Sequence, residues 1–120
     1  MSKTILVVDD SPSELKLMVS ALEGRGYHLV TAVDGEQAIE RANTHRPDLI
    51  LLDIVLPKRN GYQVCRQIKA DNQKPNPKII MVSSKNQESD RFWGFKQGAD
   101  LYLTKPLDPA DLAATVDRVL

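Results

Sequence analysis

The stretch from Asp48 to Asp53 constrains the fold more than any other part of the chain, because four consecutive apolar residues separate its two carboxylates. A strand that is covered on both faces shows such an uninterrupted apolar run, whereas a strand with one solvent-facing side alternates. The stretch therefore predicts a central strand of a parallel sheet. Open sheets of this kind bind ligands at the carboxyl ends of their strands, so Asp53 is the first candidate for a functional residue.

Strands and helices are predicted to alternate along the whole chain. Apolar runs predict further strands at 4–8, 27–32, 78–82 and 101–104, of which the more polar 27–32 suits a sheet edge. Helices are predicted after Ser11-Pro12 and Asp34-Gly35, at about 62–70 and 87–97, and from Pro109 onward, with a loop at 74–77. This alternation predicts an α/β fold: a flavodoxin-like, doubly wound, five-stranded parallel sheet in the order 2-1-3-4-5 with five helices.

The composition predicts a single soluble domain. The chain has 120 residues, 42% of them apolar, and 16 basic residues balance 16 acidic ones, so nothing favours a nucleic-acid or membrane-surface partner. The single cysteine, Cys65, excludes an internal disulfide and is expected to be a buried apolar residue. Because no apolar run has transmembrane length and no signal peptide precedes the first strand, the expected location is cytoplasmic.

Polar side chains follow four of the predicted strands. Asp9 and Asp10 follow the first strand, Asp53 the third, Ser83 the fourth and Lys105 the fifth. Because the carboxyl ends of parallel strands meet at one edge of the sheet, we expect these side chains to come together there.

Three converging carboxylates would repel one another, and a hard divalent cation removes that conflict. Asp10 and Asp53 are the expected direct ligands of Mg²⁺, with Asp9 close by or bound through water, and the carbonyl oxygen of Val55 is a reasonable further ligand. A carboxylate can also attack phosphorus to form an aspartyl phosphate, and such a transfer requires neutralised charge. Asp53 is the candidate nucleophile, and Lys105 supplies positive charge.

Four motifs, in this order and at these spacings, resemble the receiver domain of response regulators in two-component signalling, the CheY-like family. They are LVVDDSP at 6–12, PDLILLDIVLP at 47–57 with Gly61, MVSS at 81–84, and GAD at 98–100 followed by Lys105-Pro106. The resemblance covers essentially all of residues 1–120, which are then one receiver domain. Because the chain ends just after its last helix, we expect no output domain.

The resemblance implies a set of roles. A sensor histidine kinase would phosphorylate Asp53, with Mg²⁺ at Asp9, Asp10 and Asp53. Ser83 and Lys105 would touch the phosphoryl group. The chain would catalyse only its own phosphorylation and dephosphorylation, and so would not be an enzyme in the ordinary sense.

The resemblance also implies a switch and an output surface. Ser83 would move toward the phosphoryl group and Tyr102, on the fifth strand, would rotate inward, while the Lys105–Pro106 peptide bond would be cis. An unknown output protein would bind the face formed by helix 4, strand 5 and helix 5. Within the family, the run 84–99 resembles regulators of twitching motility and of related chemotaxis-type pathways.

Three points depart from this interpretation or qualify it. The alternative function is a small Mg²⁺-dependent phosphatase with an aspartate nucleophile, but Val55 stands where such an enzyme carries its general acid. An apolar Val55 cannot orient an attacking water, so slow or unexceptional autodephosphorylation is expected. Phe92, Trp93 and Phe95 are too crowded for one inward stripe, so some are expected in the core and one exposed to a partner.

Overall fold

The computed structural model describes residues 2–71 and 76–120 and shows strands and helices in strict alternation. The predicted elements are confirmed, most to within one residue at each end. Of the predicted loop at 74–77, Lys74 and Pro75 lie outside the described residues. The elements are β1 (Thr4–Val8), α1 (Pro12–Leu22), β2 (His28–Ala32), α2 (Gly35–His45), β3 (Leu49–Leu52), α3 (Gly61–Ala70), β4 (Lys78–Ser83), α4 (Glu88–Lys96), β5 (Leu101–Thr104) and α5 (Pro109–Val119).

The strands form one parallel sheet in the order β2-β1-β3-β4-β5, which confirms the predicted topology. The central strand is β3, which pairs with β1 on one side and β4 on the other. All four of its residues are buried, as its continuous apolar run predicts. The more polar β2 lies at one edge, as expected, and the four residues before the buried Ala32 are exposed or only partly buried.

Alternate strand residues face two separate halves of the core. Leu6 and Val8 point to the side covered by α2 and α3, where they meet Val64, Cys65 and other buried residues. Ile5 and Val7 point to the opposite side, which is covered by α1 and α5. Helices therefore cover both faces of the sheet, and the carboxyl ends of its strands carry the predicted functional residues.

Helix starts follow the sequence signals closely. Ser11 and Asp108 accept hydrogen bonds from backbone N–H groups of α1 and α5, and a proline stands in the first turn of each helix. Asp34 caps α2 in the same way. None of the helices in residues 2–71 and 76–120 has the length and apolar character required to cross a bilayer.

Helix α4 differs from the prediction, because none of its three aromatic side chains is part of the core. Phe92, Trp93 and Phe95 are 59%, 54% and 45% exposed. The buried residue of the helix is Gly94, and a Cβ atom there would lie 2.9 Å from Met81 Sδ and 3.1 Å from the Tyr102 ring. The helix backbone therefore approaches the sheet through its glycine, and the large neighbouring rings point away from it.

Candidate functional site

The carboxyl ends of β1 and β3 bring three aspartates together. Backbone hydrogen bonds extend the sheet past the strand ends, from Asp53 N–H to the Val8 carbonyl at 3.1 Å and from Asp9 N–H to the Ala32 carbonyl at 3.2 Å. Asp9, Asp10 and Asp53 each offer one carboxylate oxygen, and these oxygens all lie within 4.8 Å of one another. Asp9 and Asp53 are buried, whereas Asp10 is exposed at the mouth of the site.

Lys105 joins this cluster from β5. Its ammonium nitrogen lies 2.7 Å from Asp9 Oδ2 and 3.6 Å from Asp53 Oδ2. The Lys105 N–H donates to the Ser83 carbonyl at 2.9 Å, and the following Lys105–Pro106 peptide bond is cis. Lys105 is 52 positions from Asp53 in the sequence, yet its ammonium group lies close enough to neutralise part of the Asp53 charge.

Ser83 ends β4 beside Lys105 and is buried. Its hydroxyl oxygen accepts the Lys85 N–H at 3.2 Å, which fixes the start of the loop between β4 and α4. The Val55 side chain is 59% exposed, two residues after Asp53. The structure thus places Lys105 against Asp9 and Asp53, with Asp10 within 4.8 Å of both carboxylates, Ser83 at the end of β4 and Val55 on the loop after β3.

The electrostatics of the site make ionisation of Asp53 less favourable than that of an ordinary aspartate. The pKa of Asp53 is raised to about 6, chiefly by burial and then by the negative charge of Asp9, while Lys105 opposes both effects. Burial alone would lower the pKa of Lys105, but its hydrogen bond to Asp9 and the charge of Asp53 outweigh burial and raise that pKa. Lys105 thus remains an ammonium ion at neutral pH.

This donor set fits Mg²⁺. The ion prefers oxygen ligands and is commonly held by one or two carboxylates together with water. Three carboxylates on adjacent strand ends, one of them open to solvent, meet that requirement. Repulsion from Asp9 contributes, after burial, to the raised pKa of Asp53, and a bound cation would relieve that repulsion.

Tyr102 lies at the inner side of α4. It is 4% exposed, and its hydroxyl donates to the Lys85 carbonyl at 2.7 Å. The Arg91 guanidinium lies 5.2 Å from the centre of its ring, a distance typical of a cation–π contact. Tyr102 and Ser83 therefore bond to the same loop residue, because Ser83 accepts the Lys85 N–H and Tyr102 donates to the Lys85 carbonyl.

Sequence reasoning missed the backbone groups that shape the site. The Ile54 N–H donates to Asp53 Oδ1 at 2.8 Å and orients the carboxylate. A Cβ atom at Gly61 would lie 2.2 Å from the Asp53 carbonyl oxygen, so α3 can approach the end of β3 only because this residue is glycine. Gly61 belongs to one of the sequence motifs, but hydrophobic periodicity carries no information about such a contact.

The fold and the site together define the class of protein to which the chain belongs. A doubly wound sheet with an aspartate cluster and a lysine at the carboxyl ends of its strands has the architecture of a phosphoacceptor signalling domain. Residues 5–117 match the family described as the response regulator receiver domain, and the chain belongs to that family. Receiver domains bind Mg²⁺ at an acidic pocket and are phosphorylated by sensor histidine kinases.

Similar proteins support the same assignment. Protein PilH of Pseudomonas aeruginosa is 41% identical over 97% of this chain and 96% of its own length. The alkaline phosphatase synthesis transcriptional regulatory protein PhoP of Bacillus subtilis is 45% identical over the whole chain, which spans 49% of that relative. The chain spans about half the length of most of the curated relatives it matches.

Solved structures agree with the fold. The chemotaxis response regulator CheY4 of Vibrio cholerae superimposes with a TM-score of 0.92 at 30% identity and full coverage of both chains. The BeF3-activated receiver domain of DrrB gives a TM-score of 0.89 at 32% identity, with 99% of this chain and 97% of that one covered.

Proposed function

We propose that Asp53 of this chain accepts a phosphoryl group from a sensor histidine kinase in a Mg²⁺-dependent reaction, and that the phosphorylated form binds other proteins. The observation that carries the proposal is the position of the Asp53 carboxylate. It lies between two further carboxylates and an ammonium group 3.6 Å away. A nucleophile held between metal-binding carboxylates and a fixed cation suits phosphoryl transfer, which depends mainly on positioning and charge neutralisation.

In the proposed reaction, an Asp53 oxygen attacks phosphorus as the bond between phosphorus and the histidine nitrogen of the kinase breaks. The bonding electron pair returns to the imidazole nitrogen, and the product on this chain is an acyl phosphate. Ile54 N–H holds one Asp53 oxygen at 2.8 Å, so the carboxylate keeps a defined orientation. Lys105 and the Ser83 hydroxyl would contact the phosphoryl oxygens.

Asp9, Asp10 and Asp53 would hold the metal, with the Val55 carbonyl as a further ligand. Bound Mg²⁺ would supply positive charge against the carboxylates and the transferring phosphoryl group, and so keep Asp53 ionised at neutral pH. Without that charge, the pKa of about 6 leaves part of the nucleophile protonated near pH 6.

The signal would leave through the face formed by α4, β5 and α5. Ser83 and Tyr102 both bond to Lys85, so a phosphoryl group that draws the Ser83 hydroxyl toward Asp53 would disturb the loop that anchors Tyr102. Exposed rings at Phe92 and Trp93 give this face the aromatic character of many protein-binding surfaces. The absence of an output domain and of DNA binding, and the cytoplasmic location, stay predictions.

A role in pilus-based motility or taxis is part of the proposal. The run 84–99 resembles twitching-motility regulators, and protein PilH matches over nearly its whole length. A strain of the source organism that lacks this chain should lose normal twitching or taxis. It should recover with the wild-type chain but not with Asp53→Ala. Normal motility of the deletion strain would contradict this role.

The reaction is tested by incubating the chain with Mg²⁺ and a small acyl-phosphate donor and then measuring its intact mass. We expect one phosphoryl group per chain, none on Asp53→Ala, and the wild-type amount on the surface control Asp111→Ala. Steady turnover of a phosphomonoester, without a stoichiometric phosphorylated product, would favour the phosphatase alternative instead.

A further inference from the structure

The loop between β3 and α3 contains a strained turn at Lys58. This residue has φ of 69°, and the Arg59 N–H donates to the Pro57 carbonyl at 2.8 Å. The hydrogen bond closes a three-residue γ-turn with a positive central φ, which is rare for a residue with a side chain. Such a conformation persists only where its surroundings hold it. We call residues 57–59 the Lys58 turn.

The start of α2 holds the Lys58 turn from outside. The Gly35 N–H donates to the same Pro57 carbonyl at 3.2 Å, so this oxygen accepts two hydrogen bonds. The Lys58 ammonium lies 3.9 Å from carboxylate oxygens of both Asp34 and Glu36. Backbone and side-chain contacts therefore join the first turn of α2 to the Lys58 turn.

Gly35 makes this approach possible. A Cβ atom on it would lie 2.2 Å from the Arg59 carbonyl oxygen and 2.6 Å from Arg59 Cβ, distances at which the neighbouring backbone must shift. Gly35 is not among the residues with positive φ, so its backbone conformation does not require glycine. The contact with Arg59 is therefore the physical reason for a glycine at this position.

The Lys58 turn lies on the segment that leaves the phosphorylation site. Nearer Asp53, the Gly61 N–H donates to the Ile54 carbonyl at 2.7 Å. The segment is thus fixed at Ile54 by the start of α3 and at Pro57 by the start of α2. Val55, whose carbonyl is the proposed further metal ligand, lies between these two points.

We propose that Gly35 is a positioning residue for the phosphorylation site: it lets α2 clamp the Lys58 turn and thereby fixes the backbone at Val55 relative to Asp53. The proposal rests on the proposed function for its metal site. Gly35 itself touches neither the metal nor the phosphoryl group, and it acts through the Pro57 and Arg59 backbone.

The test compares two glycine-to-alanine variants that carry no change in charge. Gly35→Ala forces the Lys58 turn away from α2. Gly26→Ala strains a positive φ of 87° with nothing within 4 Å of the added methyl group, so it controls for lost stability alone. Isothermal titration with Mg²⁺ should show affinity lowered about tenfold or more in Gly35→Ala, as for residues that orient metal ligands. Gly26→Ala should bind like the wild type.

Amide hydrogen exchange in the metal-free wild-type protein gives a second readout that needs no variant. The Gly35 and Arg59 N–H groups should be protected before Mg²⁺ is added, because both donate to Pro57. Exchange of these two N–H groups at the rate of an unfolded peptide would overturn the proposal. This measurement alone tests the proposal if Gly35→Ala does not fold. Wild-type Mg²⁺ affinity in a folded Gly35→Ala would overturn it as well. A wild-type chain that binds no Mg²⁺ would refute the proposed function instead, and exchange would still test the clamp.

Discussion

Replacing Asp53 by asparagine should stabilise the metal-free protein at neutral and alkaline pH. Burial and the charge of Asp9 raise the pKa of Asp53 from 3.8 to about 6 in the folded state. Such a carboxyl stabilises the fold while it is protonated, and that stability is lost as the pH rises through about 6. The side chain removed in Asp53→Asn is the one whose ionisation costs free energy.

The magnitude follows from the two pKa values. A change from 3.8 to about 6 corresponds to about 3 kcal/mol in favour of the protonated form. Relaxation around the charge reduces this, so we expect the variant to be about 1–3 kcal/mol more stable at pH 8, or about 4–12 °C higher in Tm for a chain of this length. Asparagine can keep the hydrogen bond from Ile54 N–H, and Lys105 keeps Asp9 as a partner at 2.7 Å.

The assay is thermal or urea unfolding in a chelator, from pH 4 to pH 8. Wild type and Asp53→Asn should have equal stability near pH 4 and diverge as the pH rises. Asp117→Asn is the control of opposite sign, because hydrogen bonds from Arg25 and Tyr27 lower the pKa of Asp117. That control should lose stability at neutral pH. A variant at Asp53 that is no more stable than wild type at pH 8 would refute the electrostatic reasoning.

Three further predictions concern the switch and the chemistry. Gly94→Ala should displace the Tyr102 ring outward, because a Cβ atom at this position would lie 3.1 Å from that ring. The overpacking should lower the free energy of unfolding by about 1–3 kcal/mol. NMR shifts of the ring protons unchanged from the wild type would contradict this. Lys105→Met should bind Mg²⁺ more tightly in calorimetry, because the ammonium group 2.7 Å from Asp9 competes with the ion for that carboxylate. The same variant should accept a phosphoryl group more slowly. Weaker Mg²⁺ binding than in the wild type would contradict this reasoning. Val55→Gln should shorten the lifetime of the phosphorylated form severalfold, because an amide can orient water near Asp53. The lifetime is measured from the decay of the phosphoprotein. An unchanged lifetime would argue that Val55 does not limit the rate of autodephosphorylation.

The sequence was sufficient for the sheet and for most of the site. The apolar run that ends at Asp53 predicted the buried central strand, and strand order then brought Asp9 and Lys105 to it. These predictions succeed because hydrophobic period and parallel topology decide which side chains share an edge of the sheet. Strand ends are also positions where a single polar residue stands out from its neighbours.

The sequence does not predict the close contacts between backbone segments that are distant in the chain. The clamp at Gly35 depends on a distance between two chain segments, and no local pattern records it. The same holds for α4, where the approach through Gly94 leaves Phe92 and Trp93 outside the core. Aromatic residues in a helix normally indicate a buried face, and here a single glycine reverses that expectation.

The most direct test of the account is to locate the phosphoryl group. The chain is phosphorylated with Mg²⁺ and a small acyl-phosphate donor, the acyl phosphate is reduced with borohydride, and the peptides are mapped by mass spectrometry. The account predicts reduction at Asp53 and at no other carboxylate. Modification of Asp9 or Asp10, or a stable phosphoryl group on a hydroxyl side chain, would contradict it.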